Sequence, residues 1–277
     1  MEWITFRIVL LGFERIFGKI ITRKTSPILS AWGFFSFSTL TLLPFLGKVN
    51  FNIIKVSVFS GTIYALSFFL YMYALKYEDV SVVAPLYNVN AIFLIFTTSI
   101  FLEEKITIQK ILGSLFMIYG VSYLKKDVNL KLSYKNLLKS KGAISMIISS
   151  FLMAIGRTID GFLTKSFDKL GYSLGVYLVI SVYFFLISFF KNRNLRIYVQ
   201  IVKSKIIALV FGGVCNAYAY FALLMAFKKI DVSIAEPISM LSSLVSILVA
   251  RFIFKENIKL RFFGATILIS GAFIIYI

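Results

Sequence analysis

The run GAISMIISSFLMAIGRTIDGFLTK holds Arg157 and Asp160 three residues apart among apolar neighbours. That spacing puts both on one helical face, where they can neutralise each other. A second apolar run, ITFRIVLLGFERIFGKII, carries Arg7, Glu14, Arg15 and Lys19. Arg7 and Glu14 are seven apart and also share a face, and aligning Lys19 with Lys165 sets Glu14 opposite Asp160. A charge at the centre of a bilayer costs about 2.5–3.5 kcal/mol on insertion scales, so such groups normally face the protein interior or a wet cavity. The chemistry open to them is recognition of a polar or zwitterionic solute, or exchange of a proton. The competing role is a set of ion pairs holding two helices together.

Other polar groups fall at similar depth. Glu236 stands in VSIAEPI, where the related phrase VSVVAPL has Ala84. It can exchange a proton or bind a cation; the favoured expectation is that it lies about a turn from the interface and reaches water, Lys228 or Lys229. Asn88 and Asn90 are close neighbours, Asn216 and Tyr220 are four apart, and Tyr64, Ser67 and Tyr71 form a stripe. Any one of these is expected to bond helix to helix sooner than to read a solute. Pro85 and Pro237 each remove a backbone donor early in a span, which either opens the helix toward a cavity or passes without consequence. The sequence has no histidine, and Cys215 is its one cysteine. That excludes His-based acid–base chemistry, Cys/His metal sites and an intrachain disulfide. No cofactor, metal or enzymatic activity is expected.

The elements that must carry these residues are membrane helices. Of 277 residues, 59% are hydrophobic and 15% charged, a balance that points to a polytopic membrane protein. The net charge of +18 arises from Lys and Arg flanking apolar runs, the pattern of anchors to anionic lipid rather than of nucleic-acid binding. With about 20 apolar residues per crossing, spans are expected at 4–21, 27–46, 56–76, 80–102, 107–124, 142–164, 171–190, 206–227, 232–254 and 262–277. No cleavable signal peptide is evident.

The chain repeats itself. DVSVVAPLYNVN, from Asp79, and DVSIAEPISMLS, from Asp231, open two stretches in which Ser81 pairs with Ser233, Pro85 with Pro237 and Glu104 with Glu256. After a one-residue gap Gly113 pairs with Gly264 and Gly120 with Gly271, small residues that allow close helix approach. The expected organisation is a first five-helix repeat at 1–124, a polar linker at 125–141 and a second five-helix repeat at 142–277. An odd span count makes the second repeat enter the membrane from the opposite side, the inverted arrangement of secondary transporters with a solute site near the midplane. The central cavity is expected among spans one, three, four, six, eight and nine.

VSVVAPL with LEEKITIQKILG, and VSIAEPI with FKENI and GATILISGAF, resemble the paired repeats of the drug/metabolite transporter superfamily, EamA type. The resemblance implies an all-α, ten-helix multi-pass protein of the inner or plasma membrane that moves a small organic metabolite, amino-acid-like or related. Partners are then the lipid bilayer, a solute and, if Glu14, Asp160 or Glu236 titrates in the cycle, protons, in a monomer or homodimer without nucleic acid. The positive-inside count puts both termini outside, whereas the resemblance implies both inside. A membrane-embedded enzyme acting on a lipid-linked substrate, and a non-transporting scaffold subunit, stand as alternatives.

Overall fold

A computed structural model describes residues 2–121, 123–124, 129–163 and 165–276, and its regular structure there is entirely helical. The start of the expected linker (125–128), Thr164 and Ile277 lie outside the described residues. The first three expected spans correspond to α1 (Glu2–Thr22), α2 (Pro27–Leu42, continued by a 3-10 stretch Leu43–Lys48) and α3 (Phe51–Tyr77). The fourth is interrupted, α4 (Val80–Tyr87) then α5 (Asn90–Phe101), and α6 (Ile108–Val121) follows. The linker is not irregular throughout: α7 (Leu130–Lys139) occupies most of it and buries Leu137. Then come α8 (Lys141–Leu163), α9 (Lys169–Asn192), α10 (Arg196–Ala226), a second interrupted pair α11 (Val232–Ser239) and α12 (Ser242–Phe254), and α13 (Lys259–Tyr276). α10 starts ten residues before the expected span. Its basic lead-in continues the helix across a distorted Lys205 (φ −130°, ψ 15°) and is held by the buried Tyr198 and Ile201.

Local chemistry sets these boundaries. Ser26 accepts a hydrogen bond from the Leu29 amide ahead of Pro27, Asn50 from Ile53, and Asp168 from Gly171; each satisfies an amide that a helix start leaves free. Six segments are long and apolar enough to cross a membrane: Pro27–Lys48, Phe51–Tyr77, Val80–Phe101, Lys141–Leu163, Lys169–Asn192 and Arg196–Ala226. Exposure runs opposite to that of a water-soluble domain. Phe252 is 80% exposed and Ile100 71%, while Arg7, Arg15 and Asp160 are at 1% or less. Apolar residues outside and polar groups inside are what a hydrocarbon solvent selects.

The packing follows an exchange rule. With α8, α9, α10, α11–α12 and α13 taken as counterparts of α1, α2, α3, α4–α5 and α6, contacts between halves come in swapped pairs. α1 packs on α10 as α3 packs on α8, α1 on α12 as α5 on α8, and α2 on α10 as α3 on α9, while α2 meets α9 and α6 meets α13. The glycine stripes lie at the last of these. A Cβ on Gly120 would come within 2.8 Å of the Gly264 carbonyl, and one on Gly271 within 2.6 Å of the Gly113 carbonyl. The close approach expected from these glycines is therefore between α6 and α13 of one chain.

The repeated phrase marks two reciprocal latches. At one, the amides of Val80 and Ser81 donate to the Glu256 carboxylate at 3.0 and 2.9 Å, and Arg261 donates to Asp79 at 2.8 Å and to Ser81 Oγ. At the other, the Val232 amide donates to Glu104 at 3.2 Å, Ser233 Oγ bonds the same carboxylate, and Lys110 donates to Ser233 Oγ at 3.1 Å. An anion at a helix start is favourable for both its free amides and the helix dipole. Each glutamate follows a left-handed residue, Glu103 (φ 59°) or Lys255 (φ 57°), which turns the chain back onto the other half. The start of α4 thus lies beside the end of α12, and the start of α11 beside the end of α5. The two interrupted helices run antiparallel.

Candidate functional site

The site sits where α1, α3, α8 and α10 face the two interrupted helices. Arg157 on α8 donates through Nε to Glu236 at 2.7 Å and through Nη1 to Asp160 at 3.2 Å. Arg7 on α1 donates through Nη2 to both Glu236 oxygens at 3.1 Å, through Nη1 to the Ala219 carbonyl at 2.9 Å and through Nε to Ser239 Oγ at 3.0 Å. Two guanidiniums and two carboxylates therefore alternate as Arg7–Glu236–Arg157–Asp160. Such a chain survives burial because each ion meets an opposite charge and the remaining lone pairs meet donors.

Phenols supply those donors. Tyr64 donates to Asp160 Oδ2 at 2.5 Å, and Tyr172 and Tyr220 to Oδ1 at 2.8 and 2.9 Å. The Arg157 guanidinium also lies 5.2 Å from the Tyr64 ring centre and 5.0 Å from that of Tyr220, within cation–π range. Glu14 is held differently: Tyr71 donates to it at 3.0 Å, and it makes no ion pair among the described residues. A cavity of about 20 Å³ lies at the centre, lined by Arg7, Glu14, Tyr64, Arg157, Asn216 and Tyr220 among others. That is room for about one water molecule, so the conformation is closed. A larger crevice of about 700 Å³, lined chiefly by apolar side chains of α3, α5 and α8, opens elsewhere and shares no residue with it.

Of the residues singled out in the sequence, Glu14, Tyr64, Arg157, Asn216 and Tyr220 line the cavity, and Asp160 and Glu236 lie immediately behind it. Glu236 departs from the favoured expectation: it is 2% exposed and bound by two arginines, far from a snorkelling position near Lys228 or Lys229. A carboxylate between two guanidiniums, of which Arg7 has no other acid in contact among the described residues, is held inside by the stronger attraction of a low-dielectric interior. Arg7 pairs with Glu236 and not with Glu14, its neighbour along the α1 face. Asn216 donates to Ser38 Oγ at 3.0 Å and accepts from Tyr177, so it is partly helix glue. Asn88, Asn90 and Arg15 are buried but do not line the cavity. Span seven contributes Val176 and Tyr177 to the wall where span nine was expected.

The interruptions also differ from expectation. Pro85 lies inside α4, and the break two residues later tightens to i→i−3 bonds: Asn88 and Val89 amides donate to Pro85 and Leu86 carbonyls. The Ala84 carbonyl, left by this tightening, accepts from Ser243 Oγ, and Ser150 Oγ adds a second bond to the Leu86 carbonyl. α11 likewise ends two residues after Pro237, whose side chain lies outside the described residues. Arg7 and Tyr71, named in the sequence for a face shared with Glu14 and for a polar stripe, both line the cavity; Tyr172 was not singled out. Arg7 was detectable from its shared face with Glu14, whereas Tyr172 required knowing that α9 packs on α3.

Fold and site together define a multi-pass helical membrane protein with a buried polar centre. The EamA-like transporter family model matches residues 3–124 and 140–277, and the chain belongs to that family, within the drug/metabolite transporter superfamily. It is a family of membrane transporters. One solved crystal structure, described only as that of a protein, superposes with TM-score 0.69 over 96% of this chain and 95% of its own, at 14% identity; this is a likeness of fold. No curated protein matches the chain.

Proposed function

We propose that this protein is a secondary transporter, not an enzyme, carrying a small polar organic solute across a cell membrane by alternating access between two inverted five-helix repeats. The observation that carries the reading is the balanced Arg7–Glu236–Arg157–Asp160 chain, buried beside a closed cavity where the two halves meet. A structural core gains little from such a chain, because apolar side chains of similar volume are often at least as stable. A solute path needs polar groups that can change partners.

Support for inversion comes from the antiparallel interrupted helices, the exchange-related packing and the separate family matches to 3–124 and 140–277. The latches at opposite ends supply two gates: opening Glu256–Arg261 admits solute from one side, and opening Glu104–Lys110 from the other. Protons couple to the cycle through Glu236, Asp160 or Glu14, whose partners must be released when a solute enters. The test is counterflow of radiolabelled amino acids and related metabolites in proteoliposomes. Uptake above empty vesicles with a pH-dependent rate is expected, and Glu236→Gln should flatten that dependence. Wild-type vesicles that exchange no solute would defeat the transporter reading; an unchanged pH profile in Glu236→Gln would remove that carboxylate from coupling.

A further inference from the structure

Among the described residues three buried arginines lie at or beside the centre, and they are used unequally. Every nitrogen of Arg7 has a partner and Arg157 donates through Nε and Nη1, whereas Arg15 donates only through Nη1, to Ser242 Oγ at 3.0 Å and Ser246 Oγ at 3.3 Å. Its Nε and Nη2 have no partner among the described residues although the side chain is fully buried. Those two nitrogens form one edge of the guanidinium, the edge that accepts the two oxygens of a carboxylate in parallel hydrogen bonds. Buried donors left open are uncommon in folded proteins and ask for an explanation.

The surroundings point the same way. Arg15 makes no ion pair among the described residues, so its charge lacks a counterion within bonding range. Its guanidinium stacks 4.9 Å from the ring centre of Tyr87, and Tyr87 also lines the central cavity. A second orphan lies close by: Asn88 donates to Ser243 Oγ at 2.6 Å, but its Oδ1 has no partner. Ser242 and Ser243 are consecutive and hold Arg15 and Asn88 respectively, on directions about 100° apart around α12. The crossing of the two helix breaks thus carries an open two-donor cationic edge on Arg15.

We propose that the Arg15 Nε/Nη2 edge binds the carboxylate of the transported solute, reached from the central cavity by displacement of Tyr87. This rests on the transporter reading and narrows its substrate to small carboxylates. The side-on edge also suits phosphate, and the test separates the two.

Purified protein in detergent is heated with acetate, glycine, alanine and phenylalanine, each beside its carboxamide, and with inorganic phosphate. At least one carboxylate should raise the unfolding temperature while its carboxamide does not, because bound ligand stabilises the folded state. Arg15→Lys, which keeps the charge and loses the fork, should weaken that carboxylate at least tenfold. Arg15→Met should abolish the effect. Equal shifts from carboxylate and carboxamide, no shift from any carboxylate, a response to phosphate alone, or a carboxylate preference surviving in Arg15→Met each overturn the proposal. Counterflow distinguishes the levels: transport unaltered in Arg15→Met removes this site alone, whereas absent wild-type counterflow beside an Arg15-dependent carboxylate shift removes the transporter reading alone.

Discussion

Glu236 shows how one carboxylate can organise a buried centre. Among the described residues it is the one acid that links Arg7 to Arg157, so Glu236→Ala leaves two guanidiniums buried without it. We expect a loss of about 3–5 kcal/mol, the cost of breaking a buried pair from one side, measured as a lowered unfolding transition in detergent. Tyr220→Phe removes one of three phenol donors to Asp160 and should cost about 1.5–3 kcal/mol, as for a hydrogen bond to a charged group. Equal effects of the two substitutions would mean that the ion chain is not the organising feature. Much of this site was legible in the sequence, since charges inside apolar runs are conspicuous against the hydrocarbon background. Their pairing was not. Arg7 and Glu14 share a face, yet a neighbouring half supplies Arg7 with a better partner, and spacing along one helix cannot report what packs across from it.

The elements explain why the same phrase is written twice. Asp-Val-Ser begins an interrupted helix in each half, and the glutamate that follows the same helix caps the one in the other half. Glu256→Ala removes the acceptor for two α4 amides and should destabilise by about 2 kcal/mol, the upper part of the range for lost caps; chemical denaturation with an unchanged slope would check it. Glu104→Ala should act similarly at the opposite latch, and the double variant should be near additive because the two lie at different ends. The glycine crossing is stricter. Gly120→Leu drives a side chain into the Gly264 backbone and should cost at least the 1–3 kcal/mol or so typical of overpacking, while Gly47→Leu, with no atom near the added Cβ, should be neutral in the same assay. The matched glycines and glutamates were visible in the sequence. That each acts on the other copy was not, because reciprocal capping is a relation between halves.

At the scale of the molecule, the proposed inversion places equivalent points on opposite sides of the bilayer. Lys105 directly follows the latch residue Glu104, and Lys255 directly precedes its counterpart Glu256. Placed singly as cysteines in a Cys215→Ala background, they should react with a membrane-impermeant thiol reagent from opposite faces of sealed vesicles. Labelling of both from the same face would break the inverted arrangement, and alternating access with it.

Composition and hydropathy alone determined that the chain is a bundle of membrane helices, because about 20 apolar residues in a row have few alternatives in water or lipid. The doubled phrase determined where the halves meet in sequence. Tertiary structure alone decided that Glu236 lies inside between two arginines, that α9 and not the ninth span walls the cavity, that serines of other helices bond the α4 carbonyls at the first break, and that Arg15 keeps an open edge. The reason is physical: a periodic pattern records which solvent each residue prefers, while charge pairing, helix crossing and unfilled hydrogen bonds depend on neighbours brought together from distant parts of the chain.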